Sequence, residues 1–90
     1  MYRFTIEHLE DSKGGAVESN PFIFETRLHE NIFRIVEMMK GKMELDEDDT
    51  TSFAVGLKLF GEVMLKNQDN ELFTQFKPHF TNFMKELKRS

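Results

Sequence analysis

The residues from Tyr2 to Leu9, YRFTIEHL, alternate. Tyr2, Phe4 and Ile6 fall on one side, Arg3, Thr5 and Glu7 on the other. A period of two marks a half-buried strand. Asp11 to Gly15, DSKGG, is turn chemistry, because glycine reaches positive φ without steric cost. Pro21 to Leu28, PFIFETRL, alternates again, with Phe22, Phe24 and Thr26 opposite Ile23, Glu25 and Arg27. Pro21 lacks an N–H and suits a strand start or an edge. The two strands are expected to pair as an antiparallel hairpin.

The period then lengthens. From Glu30 to Lys40, Ile32, Phe33, Val36 and Met39 recur at helical spacing. Glu30 and Arg34 form an i,i+4 pair in the favourable order, and Gly41 is a natural stop. Met43 to Leu45 reads either as a loop or as a short third strand. The acidic run Asp46 to Asp49 meets the positive end of a helix dipole, with Asp46 as N-cap, and predicts a second helix over 47–67. Gln68 to Asn70 break the pattern. Leu72, Phe73, Phe76, Phe80, Phe83, Met84 and Leu87 then form one stripe, expected to be core because aromatic stripes at helical spacing usually are. Proline is tolerated at the first helical position, so Pro78 predicts a short turn over 71–76 and a separate helix over 78–88. The expected architecture is a single α+β domain over 1–90, order β-β-α-α-α. Its N-terminal hairpin, with or without the third strand, packs against three helices.

The second helix sets the main expectation. In its segment FAVGLKLFGEVML, Phe53 to Leu65, only Lys58 and Glu62 are charged. Phe53, Gly56, Phe60 and Met64 are suited to face the hairpin, and Ala54, Leu57, Gly61 and Leu65 to face another helix. The polar strip is narrow, running through Thr51, Lys58, Glu62 and Lys66. A helix apolar nearly all round is a buried one. Gly56 and Gly61 each cost about 1 kcal/mol relative to Ala inside a helix, which close approach of a neighbour would offset. A two-layer domain covers one helix on two sides, so a third apolar side calls for a second subunit. The expected contact surface is Val55, Leu59 and Val63, with Phe80 and Met84 from the last helix. The alternative is that the flanking helices enclose this one within a monomer.

The rest of the composition narrows the function classes. The chain has 90 residues, 10 of them Phe and 6 Met, with no Cys. A chain of this size buries only about 60–65% of its unfolded surface. The absence of cysteine excludes disulfides, thiolate metal sites and cysteine nucleophiles, and suits a cytoplasmic protein. A net charge of −4 argues against broad electrostatic binding to nucleic acid or to an anionic membrane. The basic cluster Lys77, Lys85, Lys88 and Arg89 is small, and cations near a helix C-terminus offset its dipole. The N-terminal stretch is not a signal peptide, and the longest apolar run is too short to span a bilayer.

No catalytic motif emerges. A calcium loop counted from Asp46 has Thr51 where glycine is required and Leu57 where glutamate is required. His29-Glu30 opens a zinc-protease string, but Phe33 stands where the second histidine belongs. Gly14 and Gly15 do not make a phosphate loop, and no Ser has the nucleophile-elbow context. His8, His29 and His79 are far apart in sequence. An enzyme would require histidines to converge with a carboxylate in space, for instance at His8 or His79. No catalytic, metal or cofactor residue is assigned. The expected role is non-enzymatic protein interaction or self-association, as a homodimer or with another protein. The alternative is a small-ligand module with an apolar pocket lined by Phe and Met.

The strings YRFTIEHLED, DEDDTTSFAVGLKLFGEVMLK and FMKELK resemble a family of small bacterial proteins known as a domain of unknown function. The likeness spans almost the whole chain. It implies a bacterial, single-domain, soluble protein, and it brings no activity, cofactor or functional residue.

Overall fold

The computed structural model describes residues 1–90. The order is β1 (Tyr2–Ile6), β2 (Phe22–Thr26), α1 (Ile32–Met39), α2 (Glu47–Lys66) and α3 (Glu71–Arg89). This is the α+β fold, two strands followed by three helices, expected from the periodicities.

β1 and β2 pair antiparallel in the register Tyr2–Thr26, Phe4–Phe24, Ile6–Phe22. Side chains two apart share a face, so these three pairs make one apolar face. The Phe4 and Phe24 rings stack at 5.1 Å. Arg3 and Glu25 face the other way and pair at 2.8 Å. The turn is built on Asp11, whose side chain accepts from the N–H groups of Lys13 and Gly15. Gly14 there sits at φ +84°, a conformation that favours glycine. The strands are shorter than the alternation suggested, because beyond Ile6 only an isolated Glu10–Ala16 bridge continues the ladder.

One hydroxyl ties the hairpin to the helices. Tyr2 Oη accepts from the N–H of Ile32 at 3.1 Å and lies 3.4 Å from the Glu30 carbonyl. Asn31 caps α1, accepting from the N–H groups of Phe33 and Arg34. Gly41 at φ +82° ends it. Lys40, the C-cap of α1, has its pKa raised by a hydrogen bond from its ammonium to Glu37, with Glu47 adding to the effect. Glu30 does not pair with Arg34 in the helix. It reaches across to Lys58, 2.6 Å away. Met43 to Leu45 form no strand. Glu44 takes φ +55°, and a left-handed residue cannot continue a β ladder.

Asp46 caps α2 through the N–H of Asp49, and three acidic residues fill the first turn. α3 is continuous, where a break at Pro78 was expected. Asn70 caps it at Leu72 and Phe73, and the apolar stripe keeps its phase on both sides of Pro78. The proline is exposed, as is Thr74, whose carbonyl it leaves unpaired. That carbonyl is on the solvent side of the helix, and aromatic packing outweighs the ~3 kcal/mol cost of an interior proline.

α2 and α3 are antiparallel, and Phe rings hold them apart. Phe60 meets Phe73, Phe76 and Phe80 at 5.8–6.0 Å, and Phe53 meets Phe83 at 6.1 Å. Thus Phe53 and Phe60, expected to face the hairpin, face α3. Gly61 lies under the Phe80 ring, where a Cβ would make ordinary contact at 3.6 Å. The core is thin. Six residues are buried: Ile32, Thr50, Ala54, Glu62, Met64 and Leu87.

Continuity through residue 78 has a measurable consequence. Pro78→Ala is expected to stabilise the protein by about 1–3 kcal/mol, read as a rise in the urea midpoint at unchanged slope. A neutral substitution would mean that two helices meet there.

Candidate functional site

α2 is unevenly covered. α1 runs close along it, and α3 packs on it through the phenylalanines. Gly56 and Val63 share a side that neither helix covers, and Phe60, packed on α3 by part of its ring, lies at the edge of that side. A Cβ on Gly56 would meet nothing within 4 Å. Phe60 and Val63 are 39% and 47% exposed. On the adjoining flank of α3, Leu72, Phe76 and Phe83 are exposed too. The Phe60–Phe76 and Phe53–Phe83 ring contacts make the two flanks one continuous apolar surface.

The hairpin carries a second uncovered apolar surface. At its base Tyr2, Phe4, Phe24 and Thr26 are half-buried. At its outer end Ile6 and Phe22 are 54% and 64% exposed. Neither strand runs closely along any helix.

Two magnitudes give the size of the deficit. A compact monomer of 10.7 kDa exposes about 5,500 Å², whereas this chain exposes 7401 Å². A compact domain of 90 residues has a radius of gyration near ~12 Å, against 15.6 Å here. The excess, about 1,900 Å² by the same scaling, is surface that folding within one chain leaves wet.

Of the expected contact residues, Val63 alone lies fully on this surface. Val63 lies on the open side of α2, and Val55 and Leu59 are half-buried beside it. Phe80 turns inward against Phe60 and Phe76. Met84 is half-buried and lines a cavity of about 210 Å³ with Gly61 and Phe80. Residues that the sequence reading assigned to the core, Leu72, Phe76 and Phe83, are the ones that emerge at the surface. A helical wheel groups them in one stripe but does not say how much of the stripe a neighbour covers.

The middle of the polar strip of α2, at Lys58 and Glu62, is not a solvent face, while Thr51 and Lys66 at its ends are exposed. Glu62 is buried, and its Oε1 lies 2.6 Å from Nδ1 of His29. No donor is aligned on that oxygen, so the contact is close in distance but not a directed hydrogen bond. Lys58, one turn earlier, holds Glu30. These two pairs clamp the segment entering α1 onto α2.

The arrangement offers little to acid–base chemistry. His8 is exposed near the hairpin turn, and His79 lies against the Phe76 ring at 6.3 Å. The three histidines do not converge. No group of three or more His, Asp or Glu side chains could hold a metal ion. A groove between α2 and α3, near Phe73 and Lys77, encloses about 250 Å³, below the ~300–1,000 Å³ of small-molecule sites. No helix is long and apolar enough to cross a membrane.

Fold and surface together define a small α+β protein that carries uncovered aromatic surface and lacks a recognisable catalytic constellation. The chain belongs to the family described as a domain of unknown function with solved structure, DUF3861, whose model matches residues 1–89. A crystal structure of a protein of unknown function from Pectobacterium atrosepticum has the same fold. Its TM-score is 0.84 and its identity 36%, over 99% of this chain and 95% of that one. No curated protein matches the chain.

The clamp is asymmetric. Removing exposed His29 strands a buried carboxylate, whereas removing Glu62 strands only an exposed imidazole. His29→Ala is therefore expected to cost about 1–3 kcal/mol and Glu62→Leu less. The double variant should be more stable than the sum of the two predicts. Additive losses in chemical denaturation would show that the two side chains do not interact.

Proposed function

We propose that this chain is a non-enzymatic protein that acts by associating with a second copy of itself. The observation that carries the reading is the wet surface. The excess of about 1,900 Å² per chain over a compact monomer is larger than the ~800 Å² that each partner buries in a standard interface. Monomeric proteins rarely expose apolar patches beyond a few hundred Å². Phe22, Phe33, Phe60, Phe76, Phe83 and Leu72 are all at the surface of this one. Aromatic residues are the usual anchors of interfaces. The lack of a group of three or more converging His, Asp or Glu side chains supports association over metal-assisted catalysis.

Sedimentation equilibrium at micromolar concentration is expected to give twice 10.7 kDa. The melting temperature should rise with protein concentration, because association stabilises the folded form by mass action. Val63→Glu places a charge in the patch and should weaken the dimer by roughly 30-fold or more. A mass of one chain at every dilution, with a concentration-independent melting temperature, would overturn the proposal.

A further inference from the structure

The hairpin and the helical patch lack cover in complementary ways. A two-stranded hairpin is marginal alone and needs a further strand or a helix to pack on. Here the outer pair, Ile6 and Phe22, has neither within its own chain. The α2–α3 patch is the reverse, a pair of helices with a uniform aromatic flank and nothing laid across it.

The area decides between ways of covering them. Pairing of like surfaces, patch on patch or hairpin on hairpin, leaves the other surface wet. One standard contact removes ~800 Å² per chain, less than half of the excess of about 1,900 Å². A contact that covers both surfaces at once must set one against the other. Two-fold symmetry allows this at no extra cost, because if a residue of one copy meets a given site on its partner, the reverse contact follows.

Resting on the self-association reading above, we infer that the two copies exchange hairpins. The apolar face of each hairpin lies across the α2–α3 patch of the other chain. Ile6 and Phe22 meet the surface formed by Phe60, Val63, Phe76 and Phe83. Gly56 is the depression in that surface. A mid-helix glycine costs about 1 kcal/mol, and within its own chain nothing occupies the space it leaves. A large side chain from the partner's hairpin fills it. The opposite face of the hairpin, with Arg3 and Glu25, stays in water.

The chain contains no cysteine, so each introduced thiol is unique. Ile6→Cys and Val63→Cys are made separately, checked for helix content and for mass by sedimentation, then mixed, allowed to exchange subunits and treated with a short bis-maleimide. Hairpin exchange predicts covalent dimers in the mixture, with residue 6 of one chain linked to residue 63 of the other in the digest, and little product from either variant alone. If each variant links to its own kind and the mixture adds nothing, like surfaces pair. The exchange is then wrong while self-association stands. Dimeric mass without any link also overturns the exchange alone. Monomeric mass without any link overturns both.

Discussion

The structure is organised by a mismatch of circumference. α2 has twenty residues and is apolar on nearly every side, and the chain has an eight-residue helix and one amphipathic helix to lay against it. α1 covers one flank near its start. α3 covers a second, at a distance set by phenylalanine rings. The third flank is left to solvent. The side of α2 that carries Lys58 and Glu62 serves as a fastening point instead of a wet edge. This is why the buried set is so small although the chain is rich in large apolar residues.

The fastening explains how so few buried groups hold a defined arrangement. The segment between hairpin and α1 is fixed by polar contacts: Tyr2 at the start of α1, Glu30 on Lys58, and His29 on Glu62. Each joins residues distant in sequence. A buried carboxylate is weak support for stability in itself, since desolvation offsets much of the attraction. It does discriminate between registers, because any other placement of the segment would leave that charge without a neighbour.

Local pattern was enough to read the hairpin, the DSKGG turn, the Asp46 cap and the Gly41 stop, because each depends on neighbours within a few residues. It misjudged Pro78. The rule for proline is local, while the Phe stripe that keeps α3 whole gains its energy from α2. It left Glu62 in a polar strip with no partner named, because that partner, His29, lies in another element. It placed Phe76 and Phe83 in the core because helical spacing reports which residues share a face. Whether enough protein exists to cover that face is a property of the whole fold.

The slender tie between hairpin and helices also bears on the order of folding. The helices are built from short-range contacts, and loop-closure entropy favours forming these first. The hairpin meets them through one tyrosine, by its hydroxyl and by its ring against Phe33, too little to dock it firmly in an isolated chain. A newly made polypeptide would therefore pass through a stage with its N-terminal arm adrift. On the hairpin-exchange proposal its maturation would end in a bimolecular encounter, slow when the protein is scarce.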